Sequence, residues 1–136
     1  MLKIDELLKH QGEIIEESKK HNIPILVVEF ETFGETIPFL SDRFVGYSKI
    51  KKVRKTSDGL FDVNNKSRQE VLDVLKDWNV DELIIIGANG GACIEATVIG
   101  AIESRYRSLV YPKGIADFNY PNIMYPYRWS MEDESE

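Results

Sequence analysis

Two predominantly apolar runs constrain the fold of this chain more than any other feature. "IPILVVEF" spans residues 23–30 and "VDELIIIGA" spans residues 80–88, and both are rich in β-branched side chains. Continuous runs of this kind are typical of strands that are covered on both faces, as in a parallel sheet. We therefore predict a mainly parallel sheet with helices packed on its two sides, because parallel strands need crossover connections.

The segments around these runs alternate between helix and strand patterns. Helices are predicted over residues 5–21, 36–44, 68–78 and 92–106, and further strands over 47–55 and 108–112. Asn22 and Asn79 are expected to end two helices in a left-handed conformation, and Ser67 and Glu70 to form a capping box. The alternation predicts one three-layer α/β/α domain over residues 1–128, followed by an acidic, disordered tail at 129–136.

Charge and composition disfavour several functions. The 136 residues carry a formal net charge of -6, and their one basic cluster, at residues 49–55, is short. This balance disfavours nucleic acid as a partner. No apolar run approaches the roughly 18 residues of a membrane span, and His10 and His21 lack metal-ligand spacing. We expect a cytoplasmic protein that uses no metal or cofactor and binds neither nucleic acid nor membrane.

The glycine-rich stretch "GANGGACIEATV", residues 87–98, carries the strongest indication of chemistry. It leaves the carboxyl end of the second apolar run, where open α/β sheets bind ligands, and it contains the single cysteine, Cys93. A helix start favours a thiolate and can stabilise an oxyanion through free backbone N–H groups. The alternative from the residues alone is that Cys93 is a small buried side chain. A dinucleotide site is disfavoured, because the order is G-x-x-G-G rather than G-x-G-x-x-G.

The longer stretch "VDELIIIGANGGACIEATVIGAI" resembles the nucleophile region of the isochorismatase-like cysteine hydrolases, which are nicotinamidase-related amidohydrolases. Four residues match that pattern in order and spacing: Gly87, Cys93, Ile94 and Thr97. Residues 51–62, "KKVRKTSDGLFD", are similar to the family segment that carries a catalytic lysine before a phenylalanine, here Lys55 and Phe61. The resemblance covers about residues 5–118 and implies an isochorismatase-like, Rossmann-like fold.

The resemblance also implies an activity and a site. It implies hydrolysis of a small amide or related C–N bond through a thioester on Cys93, with Lys55 supporting a proton-transferring carboxylate. The oxyanion and substrate site would be formed by Asn89, Gly90, Phe61 and Cys93, with a cis peptide bond before Asn89. Members of the family are commonly oligomers, so a homo-oligomer acting on a small molecule is expected.

One part of the family site has no match here. The family's catalytic aspartate ends a first strand that this sequence begins too late to contain, and that strand lies between the two apolar runs. Its loss would leave a gap lined with unpaired backbone groups. The flanking strands can close up, a segment of another subunit can fill the gap, or the chain is a truncated form of a longer protein. If the strands close up, Glu29 or Glu31 would reach the edge that carries Cys93 and replace the aspartate; otherwise both are ordinary exposed carboxylates.

Two classes of function follow from this mismatch. The first is a cysteine hydrolase in which Cys93 and Lys55 are engaged. The second is a catalytically impaired relative that keeps the fold as a small-molecule-binding or oligomeric scaffold. The reactivity of the Cys93 thiol distinguishes them, because an activated thiolate is alkylated at lower pH than an inert thiol.

Overall fold

The computed structural model of the chain describes residues 4–32, 34–88 and 93–116. In chain order its elements are α1 (Ile4–Lys20), β1 (Ile25–Phe30), α2 (Pro38–Ser41), a 3₁₀ turn (Asp42–Phe44), β2 (Ile50–Lys55), α3 (Arg68–Asp77), β3 (Glu82–Ala88), α4 (Glu95–Glu103) and β4 (Arg107–Ala116). The predicted alternation of helix and strand is confirmed. Over these ranges, no helix combines the length and the apolar character needed to cross a membrane. The predicted tail at 129–136 lies outside the described residues.

The four strands form two separate parallel ladders. β1 pairs with β2 from Ile25 opposite Ile50 to Phe30 opposite Lys55, and β3 pairs with β4. Within the described ranges no ladder joins β1 to β3. The parallel α/β architecture is therefore confirmed, but the two strands that flank the expected gap do not close up.

A shared hydrophobic core, rather than a hydrogen-bonded ladder, joins the two pairs of strands. Its buried members are Val53, Leu60, Phe61, Val71, Leu75 and Ala101. Val28 of β1 and Leu83 of β3 both pack against this cluster, so each ladder contributes to it. Burial of apolar side chains stabilises this arrangement by roughly 25 cal/mol for each Å² removed from water. The helices α3 and α4 thereby hold both halves of the divided sheet.

Two predicted helix ends, at Asn22 and Asn79, are confirmed. The predicted helix start at Ser67, a capping box, is wrong. Asn22 follows α1 with φ +58° and Asn79 follows α3 with φ +55°, a left-handed conformation that asparagine adopts more readily than most residues. Pro38 begins α2, where its missing N–H costs nothing. The capping box at Ser67 does not form, because the Ser67 hydroxyl donates to Oδ1 of Asn65 at 3.3 Å instead.

Candidate functional site

Cys93 lies at the predicted junction between β3 and α4. Residues 93–94 form a π-helical turn that continues directly into α4. The thiol is free and half-buried. Its Sγ lies 3.7 Å from Oδ1 of Asp58, within hydrogen-bonding distance for a sulfur donor. A half-buried thiol with a carboxylate beside it can lose its proton to that carboxylate during a nucleophilic attack.

Gly87 shapes the strand end that leads to this thiol. Its φ is +137°, a conformation that side chains with a Cβ rarely adopt. A Cβ at this position would also lie 3.3 Å from Cδ1 of Ile94. The pairing of β3 with β4 shifts register between Ile85 and Gly87. Glycine therefore lets the strand end approach Ile94, the residue directly after Cys93.

Lys55 ends β2 and reaches the same place. Its side chain is buried, with only 6% of the residue exposed. The Nζ donates a hydrogen bond to the backbone carbonyl of Asp58 and lies 4.9 Å from the centroid of the Phe30 ring. Lys55 thus contacts the main chain of Asp58, and the Asp58 carboxylate remains available to Cys93. The structure brings Lys55, Asp58 and Cys93 together.

Thr97 fastens the loop that carries Asp58 to helix α4. The Oγ1 of Thr97 accepts the backbone N–H of Leu60 at 3.1 Å. Thr97 follows Cys93 by about one helical turn, so both side chains lie on the same side of the helix. The motif spacing between Cys93 and Thr97 therefore has a physical reason: one helix face presents the thiol and anchors the loop opposite it.

Further hydrogen bonds hold the loop after β2. Asn65, which is only 3% exposed, accepts the N–H of Thr56 at 3.0 Å and donates to the carbonyl of Leu60 at 2.7 Å. The carboxylate of Asp62 accepts the N–H of Gly59 at 2.9 Å. Such buried and local bonds are strong constraints because breaking them would leave polar groups without partners. The loop is therefore organised by its own residues before any ligand binds.

Glu29 has a different environment from the thiol. It is 4% exposed, its Oε2 accepts the N–H of Thr36 at 2.7 Å and lies 3.7 Å from Nζ of Lys52, and its Oε1 is buried without a hydrogen-bond partner. Burial, the largest influence, raises the pKa of Glu29, but the hydrogen bonds from Thr36 and the charges of Lys52 and Arg54 together hold this pKa below its usual value. The Glu29 carboxylate is therefore a charged partner of Lys52 within the β1–β2 half of the sheet.

The orientation of β1 separates Glu29 from Lys55. Successive residues of a strand point to opposite faces, and Glu29 precedes Phe30, whose ring contacts the Lys55 ammonium. Glu31, the second candidate, is exposed just after the strand. The replacement of the missing aspartate by either residue was expected only if the strands closed up, and they do not. The described contacts connect Glu29 to Thr36 and Lys52, and neither to Lys55 nor to Cys93.

The other predicted site residues lie in the core or beyond the described ranges. Phe61 is 6% exposed and its ring centroid lies 6.1 Å from that of Tyr106, so it belongs to the core. Asn89 and Gly90, together with the expected cis bond before Asn89, lie outside the described residues. Among the residues that are described, no group of three or more His, Cys, Asp or Glu side chains could hold a metal ion.

Sequence reasoning missed Asp58 as a partner of the thiol. Asp58 lies between the two residues, Lys55 and Phe61, that carry the second part of the family resemblance. A carboxylate between a buried lysine and the start of a core segment was the available signal. Its proximity to Cys93 depends on a contact between residues 35 positions apart, which sequence spacing does not reveal.

Comparison with known proteins identifies similar folds. No family model and no curated protein matches the sequence. Among solved structures, the nicotinamidase SaPncA from Staphylococcus aureus has a TM-score of 0.72 and 16% identity over 85% of this chain and 72% of its own. The YcaC gene product of Escherichia coli, an octameric hydrolase of unknown specificity, has a TM-score of 0.72 and 16% identity over 86% of this chain and 55% of its own.

A third similar structure is that of an isochorismatase candidate from Burkholderia xenovorans. Its TM-score is 0.71 at 14% identity, over 84% of this chain and 56% of its own. The present chain thus spans little more than half of the length of the Escherichia coli and Burkholderia proteins. At identities of 14% and 16%, the likeness is one of fold.

Proposed function

We propose that this chain, which has the isochorismatase-like α/β fold of the nicotinamidases, is a cysteine-dependent hydrolase of a small amide or a related C–N bond. The observation that carries the proposal is the convergence of a half-buried thiol, a carboxylate and a buried ammonium group at one end of the strands. Amide hydrolysis by a thiol needs a nucleophile, a group that accepts and returns its proton, and a framework that holds the two in place.

In the proposed reaction the sulfur of Cys93 attacks the carbonyl carbon of the amide and forms a thioester. The C–N bond breaks, and the leaving amine takes up a proton. Water then attacks the thioester, which releases the carboxylic acid and restores the thiol. One amide and one water molecule are consumed, and one acid and one amine are formed. The backbone N–H groups of Asn89 and Cys93 are proposed to stabilise the oxyanion, with Gly90 beside the substrate.

Lys55 is proposed to position the proton-transferring group rather than to bind substrate. Its buried ammonium group donates to the Asp58 carbonyl, which lies in the loop opposite Cys93. A buried charge interacts more strongly with a nearby charge than a solvated one does, because the effective dielectric constant around it is lower. Lys55 can therefore fix the loop and stabilise negative charge that develops on the thiol.

The similar structures suggest the class of substrate to try first. SaPncA is a nicotinamidase, and the YcaC product is described as an octameric hydrolase. We accordingly propose a small primary amide such as nicotinamide as substrate and a homo-oligomer as the active form. A single domain over residues 1–128 and a cytoplasmic location belong to the same proposal.

The decisive experiment measures ammonia release by the purified full chain from nicotinamide and from a panel of small primary amides and carbamoyl compounds. Cys93→Ser is the matched control, because it replaces the thiol by a hydroxyl of similar shape at the same position. We expect release that depends on Cys93, together with an acyl-protein adduct visible by intact-protein mass spectrometry. Release equal to that of Cys93→Ser for every compound would contradict the hydrolase and favour the scaffold alternative.

A further inference from the structure

We infer that Asp58 takes up the proton of the Cys93 thiol and is the proton-transferring carboxylate of this site. The inference rests on the proposed function and adds the acid that sequence comparison could not locate. It depends on a contact within this chain, between the loop after β2 and the start of α4, and requires no further strand.

The geometry places the Asp58 carboxylate where the proton has to go. Its Oδ1 lies 3.7 Å from Sγ of Cys93, and the side chain is exposed, so the same group can reach a substrate amine and a water molecule. The Lys55 ammonium binds the backbone carbonyl of Asp58 and does not occupy the carboxylate. Among the described contacts of the carboxylate, Cys93 is the hydrogen-bond donor.

The loop that carries Asp58 is fixed at that residue and at the two residues after it. Lys55 binds the carbonyl of Asp58 itself, and Thr97 accepts the N–H of Leu60 two residues later. Gly59, between them, donates to Asp62. A carboxylate on a free loop would have to be ordered at each turnover, whereas these bonds supply that order beforehand. The contact with Cys93 is thus held by the loop's own bonds.

The inferred step conserves protons throughout the cycle. The S–H bond of Cys93 breaks and its proton passes to the Asp58 carboxylate as the sulfur bonds to the amide carbon. Asp58 then gives this proton to the departing amine when the C–N bond breaks. In the second half, Asp58 takes a proton from water as the water oxygen attacks the thioester, and it gives this proton to the sulfur as the C–S bond breaks, which restores the thiol and the carboxylate. No oxidant, reductant or metal is needed.

Two measurements should respond in opposite directions to loss of this carboxylate. Before an amide binds, a negative charge beside a thiol opposes formation of the thiolate. Removing the charge should therefore make Cys93 easier to alkylate at neutral pH. Hydrolysis should nevertheless fall, because the proton no longer has an acceptor. A purely structural role of Asp58 would lower both rates together.

The test compares Asp58→Asn and Asp58→Glu with the wild-type chain. The asparagine keeps the backbone carbonyl that Lys55 binds, so the loop should fold as before. The control is Asp77→Asn, an exposed carboxylate at the end of α3. For Asp58→Asn we expect kcat/KM for amide hydrolysis to fall by about 100-fold or more and iodoacetamide alkylation at neutral pH to rise several-fold. Asp58→Glu should recover part of the activity, and Asp77→Asn should change neither rate.

The outcomes separate this inference from the proposed function. If the wild-type chain hydrolyses an amide and Asp58→Asn does so at a similar rate, the inference is overturned and the hydrolase stands. If the wild-type chain hydrolyses no amide, the proposed hydrolase activity is contradicted, and the alkylation experiment alone tests the coupling between Asp58 and the Cys93 thiol. An alkylation profile shifted to lower pH in Asp58→Asn supports this coupling, and an unchanged profile overturns it. Slower alkylation together with a lowered melting temperature would assign Asp58 a structural role and also overturn the inference.

Discussion

The hydrogen bond between Thr97 and Leu60 offers the sharpest test of how the site is held together. Thr97→Val keeps the shape of the side chain but removes the Oγ1 that accepts the Leu60 N–H at 3.1 Å. Leu60 is only 5% exposed, so water has little access to the donor that is left behind. A buried polar group without a partner costs about 1–3 kcal/mol, and the free energy of unfolding should fall by that amount.

Urea unfolding followed by tryptophan fluorescence measures this loss. With an m-value of about 2 kcal/mol/M, typical of a domain of this size, the midpoint should fall by about 0.5–1.5 M at constant slope. Thr97→Ser is the matched control, because it keeps the hydroxyl and loses one methyl group. That methyl group is worth about 0.8 kcal/mol if fully buried, and less here because Thr97 is half-buried.

The same pair of variants tests the link from the loop to the thiol. If Thr97 anchors the loop that carries Asp58, the valine variant should hydrolyse amide more slowly than the serine variant. A midpoint in Thr97→Val that moves no further than that of Thr97→Ser would refute the argument, because the hydroxyl would then contribute nothing beyond the methyl group. The motif threonine would in that case serve helix packing alone.

Three further substitutions test the strand end, the core and the buried carboxylate. Gly87→Ala forces a Cβ onto φ +137° and should lower the free energy of unfolding by about 1–3 kcal/mol in the same urea titration; an unchanged midpoint would contradict the observed strand end. Gly100→Ala should destabilise by about 1–3 kcal/mol, against the usual helix preference for alanine, because its Cβ would lie 2.8 Å from Cβ of Phe61; a rise in melting temperature would refute this close packing. Because the folded pKa of Glu29 is lowered, its carboxylate stabilises the fold above its unfolded pKa, and this contribution is lost as pH falls through the folded pKa. Glu29→Gln should therefore flatten the loss of stability in acid, whereas Glu31→Gln, at an exposed position, should not; equal acid profiles for both variants would contradict the assignment.

The elements were predictable from local patterns because each pattern has a local cause. The apolar runs became β1 and β3, since a strand that is covered on both faces has no polar side to show. Asn22 and Asn79 ended their helices because they tolerate the left-handed conformation at low cost. The capping box failed because Ser67 had another acceptor nearby in Asn65, and a local motif carries no information about such competition.

The site was predictable only where the motif itself lies on one element. Cys93 and Thr97 share a helix, so their spacing already implied a common face. Asp58 could not be found this way, because an exposed aspartate in a loop has no pattern of its own. Its position depends on the bond between Leu60 and Thr97, which are 37 residues apart in the sequence. Long-range contacts of this kind come from packing of the whole domain.

The divided sheet explains why the carboxylate beside the thiol comes from a loop. For a carboxylate on β1 to face the thiol at the end of β3, β1 would have to pair with β3. Instead, β1 pairs with β2. The core that joins the two halves lies against Val28 and Leu83, so Glu29, one residue further along, points to the other face. The chain after β2 has no such restriction, because Thr97 binds it directly to the helix that begins at the thiol. A chain with this sheet can therefore supply a proton acceptor to Cys93 from Asp58 without any strand between β1 and β3.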